Sequence, residues 1–220
     1  MSYNCPFFES GENLNVQAKV KAFLNDQADF LSSASANSTR ATGDAIQELL
    51  ADQFNEMLGD WSTEYSSDFA ARAMADLAFQ EKNGFYVVVD VKTHRVSKDF
   101  SMPNLISVER LARFYENDQN VFAILLISYG IDGTKVTVNE VQFVPIEHLH
   151  WDSLTVGALG WGQIQIAKAS FVKIDSSITR KAWMLELCDY LLDFYPKEQQ
   201  KIAKRIARFE QVKKFWSKHA

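Results

Sequence analysis

Apolar residues recur at helical spacing between residues 14 and 32, where Leu14, Val16, Val20, Phe23, Leu24 and Leu31 predict a first amphipathic helix. Residues 33–42, SASANSTRAT, are small and polar and predict an exposed loop. A second helix over 43–58 carries Ile46, Leu49, Leu50, Phe54 and Met57 on one face and sets Asp44 and Glu48 one turn apart. The period then changes. Strands are expected near 74–81 and 84–92, a helix from Ser107 to about Asn117, and an apolar strand from Val121 to Tyr129. Asp132-Gly133 reads as a hairpin turn into the alternating segment Lys135 to Phe143. A short strand over Gly162 to Ala169 and helices over about 179–194 and 197–217 complete the chain. This order predicts one mixed α/β domain over residues 1–220, a central mixed β-sheet flanked by helices.

Composition and charge narrow the class. A 220-residue chain that is 47% hydrophobic and 13% aromatic can bury a substantial core. Cys5 and Cys188 are far apart and form no CxxC pair, so a reducing cytoplasm is expected, without disulfide framework or zinc site. The start, MSYNCPFFESGE, lacks a basic region followed by an apolar one, and no apolar run approaches the roughly 18 residues of a membrane span. Neither secretion nor membrane insertion is expected. Net charge is −5, yet residues 197–220 hold eight Lys or Arg against two acids, which leaves −11 on the remainder. A basic C-terminal helix on an acidic body can dock on phosphates while the acids hold cations.

The candidate chemistry sits where FYVVVDVKTH, Phe85 to His94, runs from apolar residues into Asp90 and Lys92. Asp76 lies 14 residues before Asp90, and the short turn Glu81 to Gly84 lets the two strands pair antiparallel. Such a hairpin brings both aspartates to one end of the sheet, with Lys92 on the face of Asp90. Two carboxylates and an ammonium suit magnesium and hydrolysis of a phosphodiester. A surface ion pair at a strand end explains the D-x-K pattern equally well. His148 and His150 flank Leu149 but have no third ligand nearby in sequence, so they read as structural. Trp161, Trp183 and Trp216 read as core or packing residues, and Gln163 and Gln165 as lining a strand. No P-loop, GxSxG or HExxH motif is present.

Four segments carry a resemblance. DVKTHRVSKDFSMPNLIS (Asp90 to Ser107), ATGDAIQELLADQF (Ala41 to Phe54), WGQIQIA followed by ITRKAWMLELCDYL, and EQQKIAKRIARFEQVKKFW occur in an order that resembles the HincII family of type II restriction endonucleases. More distantly they are similar to EcoRV-type enzymes, all within the PD-(D/E)XK nuclease superfamily. The resemblance implies a restriction-endonuclease-like fold, with Asp76 and Asp90 as magnesium ligands, Lys92 as the catalytic lysine and Thr93 beside the scissile phosphate. It also implies an acid on the preceding helix, for which Glu48 reaches further than Asp44. Ala75 stands where the superfamily has proline.

For DNA contact the resemblance points to Asn104, beside Pro103, on a major-groove loop. Ser101 stands where the family has an intercalating Gln and is too short for that, leaving Met102 as an apolar wedge. Asn37, Ser38, Thr39 and Arg40 would approach the minor groove, with Gly59 to Ser67 and Arg95 to Lys98 as further contacts. The implied activity is magnesium-dependent cleavage of both strands of duplex DNA at a short palindromic site by a cytoplasmic homodimer, in restriction of foreign DNA. The first helix and the loop after it would serve as dimer and DNA-clamping elements. A DNA-repair nuclease or junction resolvase, or a non-catalytic DNA-binding protein on the same fold, would show the same fold-level features.

Overall fold

The computed structural model describes residues 5–27, 30–66, 75–97, 103–167 and 172–218. Two compact units result, Met1–Ser177 and Ile178–Ala220. The first opens with helices α1 (Pro6–Glu9), α2 (Glu12–Asp26), α3 (Ser33–Asn37) and α4 (Thr39–Leu58). A five-stranded mixed sheet follows, in the order β1 (Ser62–Ser66), β2 (Leu77–Glu81), β3 (Tyr86–Arg95), β5 (Asn120–Asp132), β6 (Lys135–Pro145). Only β3 and β5 run parallel, and a parallel pair requires a long crossover. That connection contains β4 (Asn104–Ser107) and α5 (Val108–Phe114). A second, three-stranded sheet joins β4 to β8 (Gln163–Ile166) and β7 (Leu154–Gly157).

Apolar residues cover both faces of β3 over residues 87–91, which is why Val87 to Val89 does not alternate with polar residues. Val87, Val89 and Val91 join one core with Val121, Ala123 and Leu125, and with Val16, Val20, Ile46, Leu50 and Phe54 from α2 and α4. Val88, Phe122 and Ile124 are buried at the alternate positions. Aromatic edges lock the centre. Phe143 meets Phe54 at 5.7 Å and 71° and Phe7 at 5.7 Å and 63°.

Helix α2 fastens to β6 through one polar side chain per turn. Asn13 donates to the Phe143 carbonyl at 2.9 Å, and Gln17 donates to the Val141 carbonyl at 2.9 Å while accepting the Phe143 N–H at 3.3 Å. Lys21 donates to the Asn139 carbonyl at 2.7 Å. Asn25 accepts the Val138 N–H at 2.8 Å and donates to its carbonyl at 3.2 Å. Residues four apart share a helix face, so these four stand in a row. Leu14, expected on the apolar face, is exposed.

Several expectations are corrected. Residues 33–42 form no loop: α3 occupies Ser33–Asn37 and α4 already begins at Thr39. Ser38, which read as a loop residue, is a helix cap that accepts the Ala41 N–H at 3.2 Å, and Ser32, expected at the end of the first helix, caps α3 by accepting the Ser35 N–H at 3.1 Å. Strands β1, β4 and β7 are short and weakly patterned, and periodicity did not find them.

In the second unit one helix, α6, spans Arg180–Trp216, where two were expected. Thr179 caps it by accepting the Ala182 N–H at 3.2 Å, and Pro196 lies inside. The proline removes a single N–H donor, and the good helix formers from Lys197 to Arg208 carry the ladder on. Trp183 is buried, whereas Trp161 and Trp216 are exposed and not core residues. Among the described residues, no helix is long and apolar enough to cross a membrane.

Phe54 is fully buried against the aromatic centre. Phe54→Ala is expected to cost about 3 to 5 kcal/mol in urea unfolding followed by circular dichroism. A loss below about 1 kcal/mol would mean that the centre repacks freely.

Candidate active site

The β2–β3 turn sets the register on which the site depends. Asn83 donates to Glu81 through its backbone N–H at 2.7 Å and through its amide at 2.5 Å, and Gly84 takes a left-handed φ of 95°. Leu77 then pairs with Val89, which places Asp76 across from Asp90. The Asp76 N–H donates to the Val89 carbonyl at 3.0 Å and extends the ladder by one bond.

Both oxygens of Asp76 are engaged. Oδ2 accepts the Val91 N–H at 2.7 Å, and Oδ1 accepts Gln47 Nε2 from α4 at 2.5 Å. Asp90 is treated differently. It is 5% exposed, its Oδ1 accepts Lys92 Nζ at 2.5 Å, and its buried Oδ2 has no hydrogen-bond partner. An unsatisfied buried carboxylate oxygen is costly, and such orphans are rare outside sites that bind something. Burial pushes the Asp90 carboxyl from 3.8 up to about 7, against the pull of the Lys92 charge and hydrogen bond and with a further push from Asp76. The D-x-K pair is therefore mostly buried, unlike a solvated ion pair on the surface.

Glu48 does not take part in this cluster. It is exposed, and the α4 side chain that reaches Asp76 is its neighbour Gln47. Asp44 is exposed too, 3.9 Å from Arg40. Gln47 was missed because an acid was sought; the available signal was Gly43, one turn earlier on the same face. A Cβ at Gly43 would stand 2.8 Å from Thr93 Oγ1, so the glycine lets α4 lie close to β3. Thr93 thus points toward α4, on the opposite side of the strand from Asp90 and Lys92. Among the described residues, no three His, Cys, Asp or Glu gather as a metal cluster. Any ion here would rest on two carboxylates.

The expected DNA-contacting residues are spread over the end of α3 and the start of α4 (Asn37 to Arg40), β3 (Thr93) and β4 (Asn104). Asn37 and Thr39 are exposed, Asn37 donates to the Ser33 carbonyl at 2.9 Å, and Ser38 is occupied as a cap. Arg95 Nη1 donates to the Ala36 carbonyl at 2.9 Å and ties this segment to the far end of β3. Asn104 opens β4, exposed, with Oδ1 accepting Gln165 Nε2 at 2.6 Å from the adjacent strand. Gly157 makes room for that pair, since a Cβ there would stand 2.7 Å from Gln165 Oε1. Ser101 and Met102 lie outside the described residues. His150 Nδ1 accepts the Asp152 N–H at 3.1 Å, while burial lowers the pKa of His148, and both fit structural roles.

A family model for the restriction endonuclease HincII matches residues 46–217. The chain belongs to the HincII restriction endonuclease family. The matched range contains Gln47, Asp76, Asp90, Lys92, Asn104 and all but the first residues of α4, and leaves out residues 37–40. A search of curated proteins finds no match. Membership in the HincII family makes the chain a nuclease, and the mixed sheet flanked by helices agrees with a restriction-endonuclease-like fold.

The Asp90 environment has a consequence for stability. A carboxyl raised in the folded state binds a proton on folding, so its favourable contribution is complete below about pH 3.8 and is lost as pH rises through about 7. In EDTA, Asp90→Asn is expected to gain stability relative to wild type between pH 4.5 and 7.5, by on the order of 1 to 4 kcal/mol. Urea unfolding at each pH measures the gap, and a constant gap would mean that Asp90 ionises normally.

Proposed function

We propose that this chain is a type II restriction endonuclease that hydrolyses phosphodiester bonds in both strands of duplex DNA at a short palindromic site, using magnesium. The observation that carries this reading is the orphaned Asp90 Oδ2, buried beside Lys92 and across from Asp76 in a chain of the HincII family. Two-fold symmetry of the site matches two identical subunits, each with one active site. Residues 1–220 are read as one nuclease module, a reading supported by a family match that runs over residues 46–217 and so crosses Ser177. A cytoplasmic location accords with free thiols at Cys5 and Cys188 and with a role in restricting foreign DNA.

The donor set suits the metal. Hard carboxylate oxygens from Asp76 and Asp90, one of them unpartnered, are what magnesium takes when waters and phosphate oxygens fill its other positions. When bound, magnesium supplies Lewis-acid stabilisation of the phosphoryl charge and eases deprotonation of water. Lys92 keeps one N–H on Asp90 Oδ1 and has two more for the attacking water and a non-bridging phosphoryl oxygen. The water oxygen bonds to phosphorus, the ester bond to the leaving sugar breaks, and the water loses a proton to solvent as the departing oxygen gains one. Gln47 and the Val91 N–H hold Asp76 so that its carboxylate keeps one orientation. Asn104, held by Gln165, contacts base edges, and Arg40 with the start of α4 approaches the minor groove. The bases of residues 197–218 contact phosphates.

Incubation of plasmid DNA with wild type and magnesium should give discrete fragments, and EDTA should prevent them. Random degradation or no cleavage would count against a site-specific enzyme. Lys92→Ala should cut at least about 100-fold more slowly while still binding the site in calcium. A loss smaller than about tenfold, or 1.4 kcal/mol, would remove Lys92 from the mechanism.

Gln47→Ala should lower the cleavage rate and raise the magnesium concentration needed for half-maximal rate, with site binding in calcium-saturated buffer unchanged. Equal melting temperatures for this variant and wild type would keep the effect separate from folding. An unchanged magnesium requirement would leave Gln47 a packing residue only.

A further inference from the structure

Helix α6 carries a second pattern that the nuclease chemistry does not use. Steps of three and four residues from Leu185 lead through Cys188, Leu192, Tyr195, Gln199, Ile202, Ile206, Phe209 and Lys213 to Trp216, a heptad seam along nearly the whole helix that is large and apolar except at Cys188, Gln199 and Lys213. These side chains are exposed, Leu192 by 73%, Phe209 by 70% and Trp216 by 66%. A run of large apolar residues at coiled-coil spacing calls for another helix.

We propose that α6 pairs with α6 of a second copy of this chain as an antiparallel two-stranded coiled coil. The proposal rests on the homodimer reading and assigns it a surface. Charge decides the direction. Residues 182–196 hold Glu186, Asp189 and Asp193 and no base, whereas 197–214 hold seven bases and two acids. A parallel pair would lay +5 against +5, and an antiparallel pair lays each acidic stretch against a basic one.

The register is self-consistent. With the overlap centred between Gln200 and Lys201, Leu185 faces Trp216, Leu192 faces Phe209 and Tyr195 faces Ile206. Each layer then joins the two seam positions in the alternation that an antiparallel pair requires. Gln199, the polar seam residue at the centre, penalises slipped registers. Pro196 falls beside the seam and not in it. Apart from Lys213, the basic residues of 197–218 lie off the seam and stay available to phosphates.

The full-length chain provides the test. Sedimentation velocity should give two chains for wild type and one for Ile206→Glu/Phe209→Glu, with unchanged circular dichroism because both positions are exposed. Orientation is read from cysteines. Cys188 is exposed and Cys5 buried, and the antiparallel register sets Cys188 opposite position 213 of the second copy. Lys213→Cys, oxidised with glutathione disulfide, should become a covalent dimer, while wild type should not. Within one helix these positions are about 37 Å apart and cannot join. A monomeric wild type would overturn both the seam and the homodimer reading. A dimeric Ile206→Glu/Phe209→Glu variant would overturn the seam alone. Efficient cross-linking of wild type through Cys188 would overturn the antiparallel direction.

Discussion

The pairing of Leu77 with Val89 fixes where each charge of the site lies. Side chains alternate across a strand, so a slip of one residue would send Asp90 and Lys92 to the face that holds Val89 and Val91. The pairing is secured at the turn by Glu81 and Asn83, and along β3 by ten residues of parallel register with β5. Because β3 is covered on both faces, the carboxylate it delivers is desolvated. The raised pKa of Asp90 and its unpartnered oxygen are thus consequences of sheet topology.

Helix α4 links this buried end to the molecule's surface. Its N-terminus is capped by Ser38, beside residues proposed to contact DNA, and its third turn supplies Gln47 to Asp76. Gly43, between them, permits the close approach to Thr93.

The parts of this arrangement that were legible in the sequence are those set by short-range geometry. The turn after Glu81 and the spacing from Asp76 to Asp90 fix a hairpin register, and alternation then assigns Lys92 its face. Gln47 was hard to single out because it meets Asp76 across 29 residues of sequence, and Gly43 marks a close approach of α4 without saying which neighbour it serves. The stretch SASANSTRAT misled because Ser favours loops and helix caps for the same reason, a hydroxyl that bonds nearby backbone. Pro196 misled in the opposite sense: a missing donor weakens one turn without ending a helix of 37 residues.

The row Asn13, Gln17, Lys21 and Asn25 also determines how the large sheet ends. Strand β6 is terminal in the sheet order, and its outward backbone groups would be an open template for another strand. Side-chain amides imitate that missing strand, with Asn25 both donating and accepting as a paired residue would. This border is therefore closed to β-augmentation and to edge-to-edge aggregation, at no cost in covering strand. Self-association along this border must then use side-chain surfaces, which point mutations can strengthen, weaken or redirect without disturbing the backbone ladder.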